Sequence, residues 1–166
     1  MVRRRASAVS NHESPDAADP SKGQKVYEAQ CIACHGKNGE GRWRADGKSF
    51  EFPPLWGKQA WSVGTSMSRL SILARFVKGN MPFNSTTKLS DEDAWNVSAY
   101  VLSQKRPPWK GIMPFPVLSS KPFDYPIGPY ADRFSEAQHR LGPFKPIIDY
   151  WTATQGAEAA LSASGI

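Results

Sequence analysis

Both cysteines of the chain fall in one short stretch, Cys31-Ile32-Ala33-Cys34-His35. In a helix this spacing stacks two thiols about one turn apart and sets an imidazole directly after the second. That C-x-x-C-H pattern is the attachment signature for haem c: each thiol adds across one vinyl group of a porphyrin, and the imidazole reaches its iron. A redox dithiol leaves His35 without a role. A zinc site needs two further ligands at close spacing, which His12 and His139 do not supply.

An iron held by His35 needs a second axial group or keeps an open position. Met1, Met67, Met81 and Met113 are the sulfur candidates. Met81 is the preferred ligand, because it follows Gly79, read as a helix stop, in a loop that Pro82 stiffens. A neutral thioether favours Fe(II) and raises the potential, as electron transfer requires. Met67, at the start of a helix, is the main rival, and either methionine can instead fill a gap in the core. His139 reads as a surface or tail-anchoring histidine.

Pro53-Pro54-Leu55-Trp56 lies between the motif and Met81. Pro53 is the candidate for a backbone carbonyl that accepts from His35 Nδ1 and fixes its tautomer. Leu55 is expected to pack on the porphyrin ring. Trp56 and Trp43, with Arg42 and Arg44, are candidate donors to its propionates, or else plain loop packing and surface charge.

These residues need a scaffold. The spacing predicts a first helix from Pro20, capped by Asp19, running into the motif. Residues 36–64 show no sustained period and read as one long loop over the porphyrin. Leu70, Leu73, Ala74 and Val77 recur at helical spacing, predicting a helix over 66–78. Ser90, followed by Asp91, Glu92 and Asp93, announces a helix carrying Ala94, Val97, Tyr100 and Val101 on one stripe and ending before Pro107-Pro108. The expected organisation is a disordered arm over 1–19, an all-α haem domain over 20–106, a Pro- and aromatic-rich strap over 107–151 with a short helical turn capped by Ser135, and a disordered tail over 152–166. The strap is expected on the domain's own face rather than on a partner.

The chain has 21 basic and 15 acidic residues, a net charge of +6. That surface favours acidic redox partners, with Lys37, Lys58 and Lys78 as candidate rim charges. No dense basic patch with stacking aromatics points to nucleic acid. No apolar run approaches the ~20 residues that cross a bilayer. Haem c is attached outside the cytoplasm, so an exported, periplasmic protein is expected, although no apolar region follows Arg3-Arg4-Arg5.

Together, Gly23 and Tyr27, C-x-x-C-H, the Pro-Leu element, Asn80-Met81-Pro82 and a last helix bearing Tyr100 resemble a class I cytochrome c. The resemblance implies three to five helices around one covalently bound haem, with Gly23 meeting Tyr100 where the first and last helices cross. More narrowly, CIACHGKNGEG, PPLWG, SMSRL, Asn80-Met81-Pro82, LSDEDAWNVSAYV and Arg106-Pro107 resemble the second haem domain of diheme thiosulfate dehydrogenases. Those enzymes couple two thiosulfates to tetrathionate at a first haem with a cysteine ligand. This chain has neither a second C-x-x-C-H nor a spare cysteine, so the resemblance implies the electron-relay half alone. Asn80 stands where some members carry a lysine, which favours a fixed His35/Met81 pair. The resulting expectation is a monohaem carrier of single electrons, associated with a catalytic cytochrome or oxidoreductase subunit. The alternatives are a thiosulfate dehydrogenase or a subunit of it, and a haem-based ligand sensor.

Overall fold

The computed structural model describes residues 16–86, 88–112 and 115–163, with side chains through Thr154. The expected arm over 1–19 lies outside these residues up to position 15. Its last residues belong to the domain: Ala18 is buried, and its N–H donates to Leu141 O at 2.8 Å.

Helix α1 spans Pro20–Gln30. Pro20 occupies the first turn, where its missing N–H costs nothing, and the Asp19 carboxylate accepts from Ser21 N at 2.7 Å. A cap of this kind is worth about 1 kcal/mol. Asp19 also donates its own N–H to Asn96 Oδ1 at 2.8 Å, so the cap ties α1 to helix α4, Asp91–Ser103. The two helices touch at Gly23, where a Cβ would lie 1.9 Å from Asn96 O and 2.9 Å from Tyr100 Cβ. Only a residue without a side chain permits that approach.

A one-residue break at Cys31 leads into the short helix α2, Ile32–His35, and Gly36 turns the chain out with φ +79°. The loop expected over 36–64 contains an antiparallel pair, β1 Arg42–Trp43 and β2 Phe50–Phe52. Cross-strand contacts hold it: Trp43 lies on Phe50 at 4.0 Å between ring centres, and Arg42 pairs with Glu51 at 3.0 Å.

Helix α3 covers Leu70–Asn80, after a 3-10 turn at Ser66–Ser68. It passes through Gly79, so the reading of Gly79 as a stop is corrected. The helix ends because Pro82 forces the residue before it out of the helical region, and Met81 is extended at φ −116°, ψ 150°. Lys78 joins the end of α3 to the start of α4, through Asp91 at 2.6 Å and Leu89 O at 2.7 Å. Ser90 caps α4 by accepting from Asp93 N, with three acids in the first turn.

Helix α4 divides the core. Val97 and Val101 join Tyr27 and Leu73 in one apolar cluster; Trp95 and Ala99 join Ala18, Leu70 and Ala74 in another, together with Phe144 and Ile147 of the C-terminal section. Among its described residues that section is irregular over 107–134 apart from one 3-10 turn at Leu118–Ser120 and then helical, with the turn expected at Ser135 in place and a further helix running across the end of the expected strap and into the expected tail. Helix α5 is Glu136–Leu141, capped by Ser135, and helix α6 runs Lys145–Ala163. Alanines at 153, 157, 159, 160 and 163 are strong helix formers and carry α6 past Trp151. His139 braces the section. It is buried, stacked on Tyr130 at 3.7 Å, with its ring nitrogens 2.6 Å from Phe123 O and 3.0 Å from Asp132 Oδ1.

Candidate haem site

Helix α2 presents the motif. Its one turn is closed by the His35 N–H donating to Cys31 O at 2.9 Å, and both thiols are free. Cys31, like Ile32, Leu55, Trp56 and Met67, is half-buried against the Tyr27 cluster. Burial, with Cys34 adding to it, pushes the Cys31 thiol up to about 11. Among the described residues no group of three His, Cys, Asp or Glu side chains can hold a metal by itself.

His35 Nδ1 lies 2.9 Å from Pro53 O. A carbonyl only accepts, so Nδ1 donates and Nε2 keeps its lone pair for a metal. The Pro53 segment is itself fastened to the motif: Leu55 N donates to Gly39 O at 2.8 Å, and Gly41 N to His35 O at 2.9 Å. Phe52 stands edge-on to the imidazole at 6.3 Å. Leu55 is half-buried in the cluster that contains Cys31.

The Trp56 ring is packed inward. Its ring lies over Gly39, where a Cβ would come within 2.3 Å, and near Tyr27 and Tyr100 at 5.0 and 5.8 Å. Trp43 and Arg42 are engaged in the β hairpin, Arg42 also lying 4.6 Å over Phe52. Met67 packs in the Tyr27 cluster, whereas Met81 is half-buried at the end of α3 and part of neither cluster. Met1 and Met113 lie outside the described residues. Lys37 and Lys58 are exposed, but Lys78 is half-buried and engaged by Asp91 and Leu89.

Two donors carry no signal as a pair in the linear sequence. The Trp61 indole N–H and the Nε and Nη1 groups of Arg106 are buried without a hydrogen-bond partner among the described residues. Buried donors of this kind are costly unless an acceptor meets them. Two thiols, an imidazole with a free Nε2, an apolar cluster and buried cationic donors fit a haem with acidic side arms.

The family model described as cytochrome c oxidase, cbb3-type, subunit III matches residues 18–101, covering everything from the α1 cap to α4. The chain belongs to that family. Within this cytochrome family it is 44% identical over 89 residues to the thiosulfate dehydrogenase of Allochromatium vinosum, a match over 54% of this chain and 33% of that protein. It is 41% identical over 102 residues to the thiosulfate dehydrogenase of Thiomonas intermedia, over 60% and 32%. Among solved structures it is similar to the thiosulfate dehydrogenase TsdBA of Marichromatium purpuratum in its as-isolated form. There the identity is 38% and the TM-score 0.52, over 55% of this chain and 19% of that one. The chain thus spans about a third of the length of the curated relatives it matches. It is a mostly helical, class I cytochrome c-type domain, related to cytochrome domains of thiosulfate dehydrogenases. No helix among the described residues is long and apolar enough to cross a membrane.

Proposed function

We propose that the chain is a monohaem c-type cytochrome that carries single electrons, working in the oxidation of thiosulfate or a related sulfur compound. The observation that carries this reading is the His35 Nδ1–Pro53 O contact, which turns Nε2 into a metal donor beside two free thiols. When bound, haem supplies a one-electron Fe(III)/Fe(II) couple. The chain supplies the rest. Cys31 and Cys34 would tether the ring, His35 and Met81 would hold its iron, and the Pro53 carbonyl keeps the imidazole in one tautomer. Leu55, Val97 and Val101 give the site an apolar wall, and Trp56 locks the loop onto α1 and α4.

The sulfur assignment is supported by the relatives, each named as a thiosulfate dehydrogenase. A separate catalytic cytochrome or oxidoreductase subunit supplies the substrate chemistry, and an acidic surface on it meets the basic carrier. Attachment of haem c places the protein outside the cytoplasm, in the periplasm or an equivalent compartment. The second reading, a thiosulfate dehydrogenase or its subunit, draws on the same relatives.

The test is made on protein matured with haem. Acid–organic extraction that leaves the pigment bound, and a mass equal to polypeptide plus one haem, are expected. So is an oxidised spectrum with the red charge-transfer band of sulfur-to-iron ligation. Loss of pigment on extraction overturns the reading. Reduction by thiosulfate without any added enzyme favours the dehydrogenase, and ready binding of carbon monoxide by the reduced protein favours a sensor.

A further inference from the structure

The connection from Met81 to Ser90 joins helix α3 to helix α4 and is lightly packed. Among its described residues Phe83, Asn84, Thr86 and Lys88 are exposed, Phe83 by 58%. Its two ends are held. At the α3 end the Met81 N–H donates to Val77 O at 2.8 Å, and at the α4 end Leu89 packs against the Tyr27 cluster.

Lys78 ties those ends to each other. It stands in the last turn of α3, one turn before Met81. Its Nζ donates to Leu89 O at 2.7 Å and to Asp91 Oδ1, in the first turn of α4, at 2.6 Å. An ammonium carries three donors and no acceptor, so most of its capacity is committed across the mouth of the connection. The Lys78 side chain is only 23% exposed, while that of Asp91 is 52% exposed. Solvent screens the ion pair from the Asp91 side, so the charge-assisted bond to Leu89 O carries more of the tie.

A thioether is a neutral, weak donor. Its bond to iron has to exceed the cost of ordering the loop that carries the sulfur. A loop whose ends are already fixed costs less to order. We propose that Lys78 is a positioning residue for Met81: it pins Leu89 and Asp91 to the end of α3 and so keeps the thioether on the iron and outside ligands off it. This rests on the reading above, in which Met81 is an axial ligand of a bound haem. Lys78 acts through the loop and not by ligation.

The experiment titrates the oxidised full chain, with haem attached, with imidazole, which competes for the Met81 position. Loss of the red charge-transfer band reads the displacement. Lys78→Met keeps the length of the stem and removes the donors and the charge. K78M is expected to bind imidazole about tenfold more tightly than the parent, the size of one lost hydrogen bond from a charged donor. Lys78→Arg, which keeps charge and donors, should bind it as the parent does, and Asp91→Asn, which leaves the bond to Leu89 O, should fall between. Asp124→Asn loosens α3 from its other end and should leave the imidazole affinity at the parent value. Parent affinity in K78M, in protein that is folded and carries haem by mass, overturns the proposal. So does an equal gain in D124N, which would make the effect one of general loosening. Lys78→Gln, a milder truncation, gives the same comparison if K78M does not mature. A parent without covalent haem, or a sulfur-to-iron band that survives Met81→Ala, overturns the underlying reading and the proposal with it, and is recognised before any titration.

Discussion

Asp124 caps helix α3 from 53 residues further down the chain, its Oδ2 accepting from the Ser71 N–H at 3.0 Å and from Ser71 Oγ at 2.6 Å. Helix α3 has no local cap, since Arg69 precedes it without a side-chain bond to its first turn. Arg69 instead donates Nε to Asp124 Oδ1 at 2.7 Å, so one buried carboxylate satisfies both the helix start and the arginine. The C-terminal section is thereby built into the helix that ends at Met81.

Removing that carboxylate undoes both contacts at once. Asp124→Ala leaves the first turn of α3 uncapped and Arg69, about one-fifth exposed, without its partner. The expected loss is about 3 kcal/mol, combining a helix cap with a largely buried ion pair. Asp124→Asn, which keeps an acceptor but no charge, should lose less. Urea denaturation of the haem-loaded protein measures both, and an unchanged midpoint for D124A would refute the cap.

Local signals are legible in the sequence itself. The Asp19 cap with Pro20, the Ser90 cap with its acids, and C-x-x-C-H are each written in a few adjacent residues, and all three sit where such signals place them. The Asp124 cap is not written locally, because its partners are half a domain away in sequence. The β pair is two and three residues long, too short for alternation to show, although Asp46-Gly47 at its turn is a usable sign. Gly79 misleads because glycine is tolerated inside a helix when a later proline sets the end. Trp61 and Arg106 are 45 positions apart in number, and only the folded chain stacks them.

The contact between α1 and α4 predicts a severe effect from the smallest possible addition. In Gly23→Ala the new methyl meets Asn96 O at 1.9 Å, a backbone atom that cannot swing aside. Separating the helices loosens the Tyr27–Tyr100 packing, now at 5.5 Å. A destabilisation of about 3 kcal/mol is expected, read as a lower thermal midpoint. Asn96→Ala, which removes the Oδ1 acceptor of the Asp19 N–H, should cost about 1 kcal/mol.

The two central methionines should separate ligation from packing. Met67 is half-buried against the Tyr27 cluster, so Met67→Ala is expected to cost about 1–2 kcal/mol while keeping the sulfur-to-iron band. Met81 is outside both apolar clusters. Met81→Ala should abolish that band, lower the potential and open the iron to carbon monoxide, with a smaller change in folding stability. The reverse pattern in optical spectra would make Met67 the ligand.

On the proposed electron-transfer reading, charge predicts how the chain would meet a redox partner. Lys37, two residues beyond the motif histidine, and Lys58, two beyond Trp56, are exposed, whereas Lys78 is held by Asp91. An acidic oxidoreductase should therefore be steered by Lys37 and Lys58 and not by Lys78. Lys37→Glu combined with Lys58→Glu is expected to slow bimolecular electron transfer by about tenfold at low salt, with the difference shrinking as ionic strength rises. Lys78→Glu should act differently: it replaces the cation now 2.6 Å from Asp91 with a second carboxylate, and lowers stability without a comparable salt-dependent change in rate. Stopped-flow rates across a salt series, alongside denaturation of each variant, distinguish the two effects. Equal rates for the double variant and the parent at low salt would remove these lysines from the docking surface.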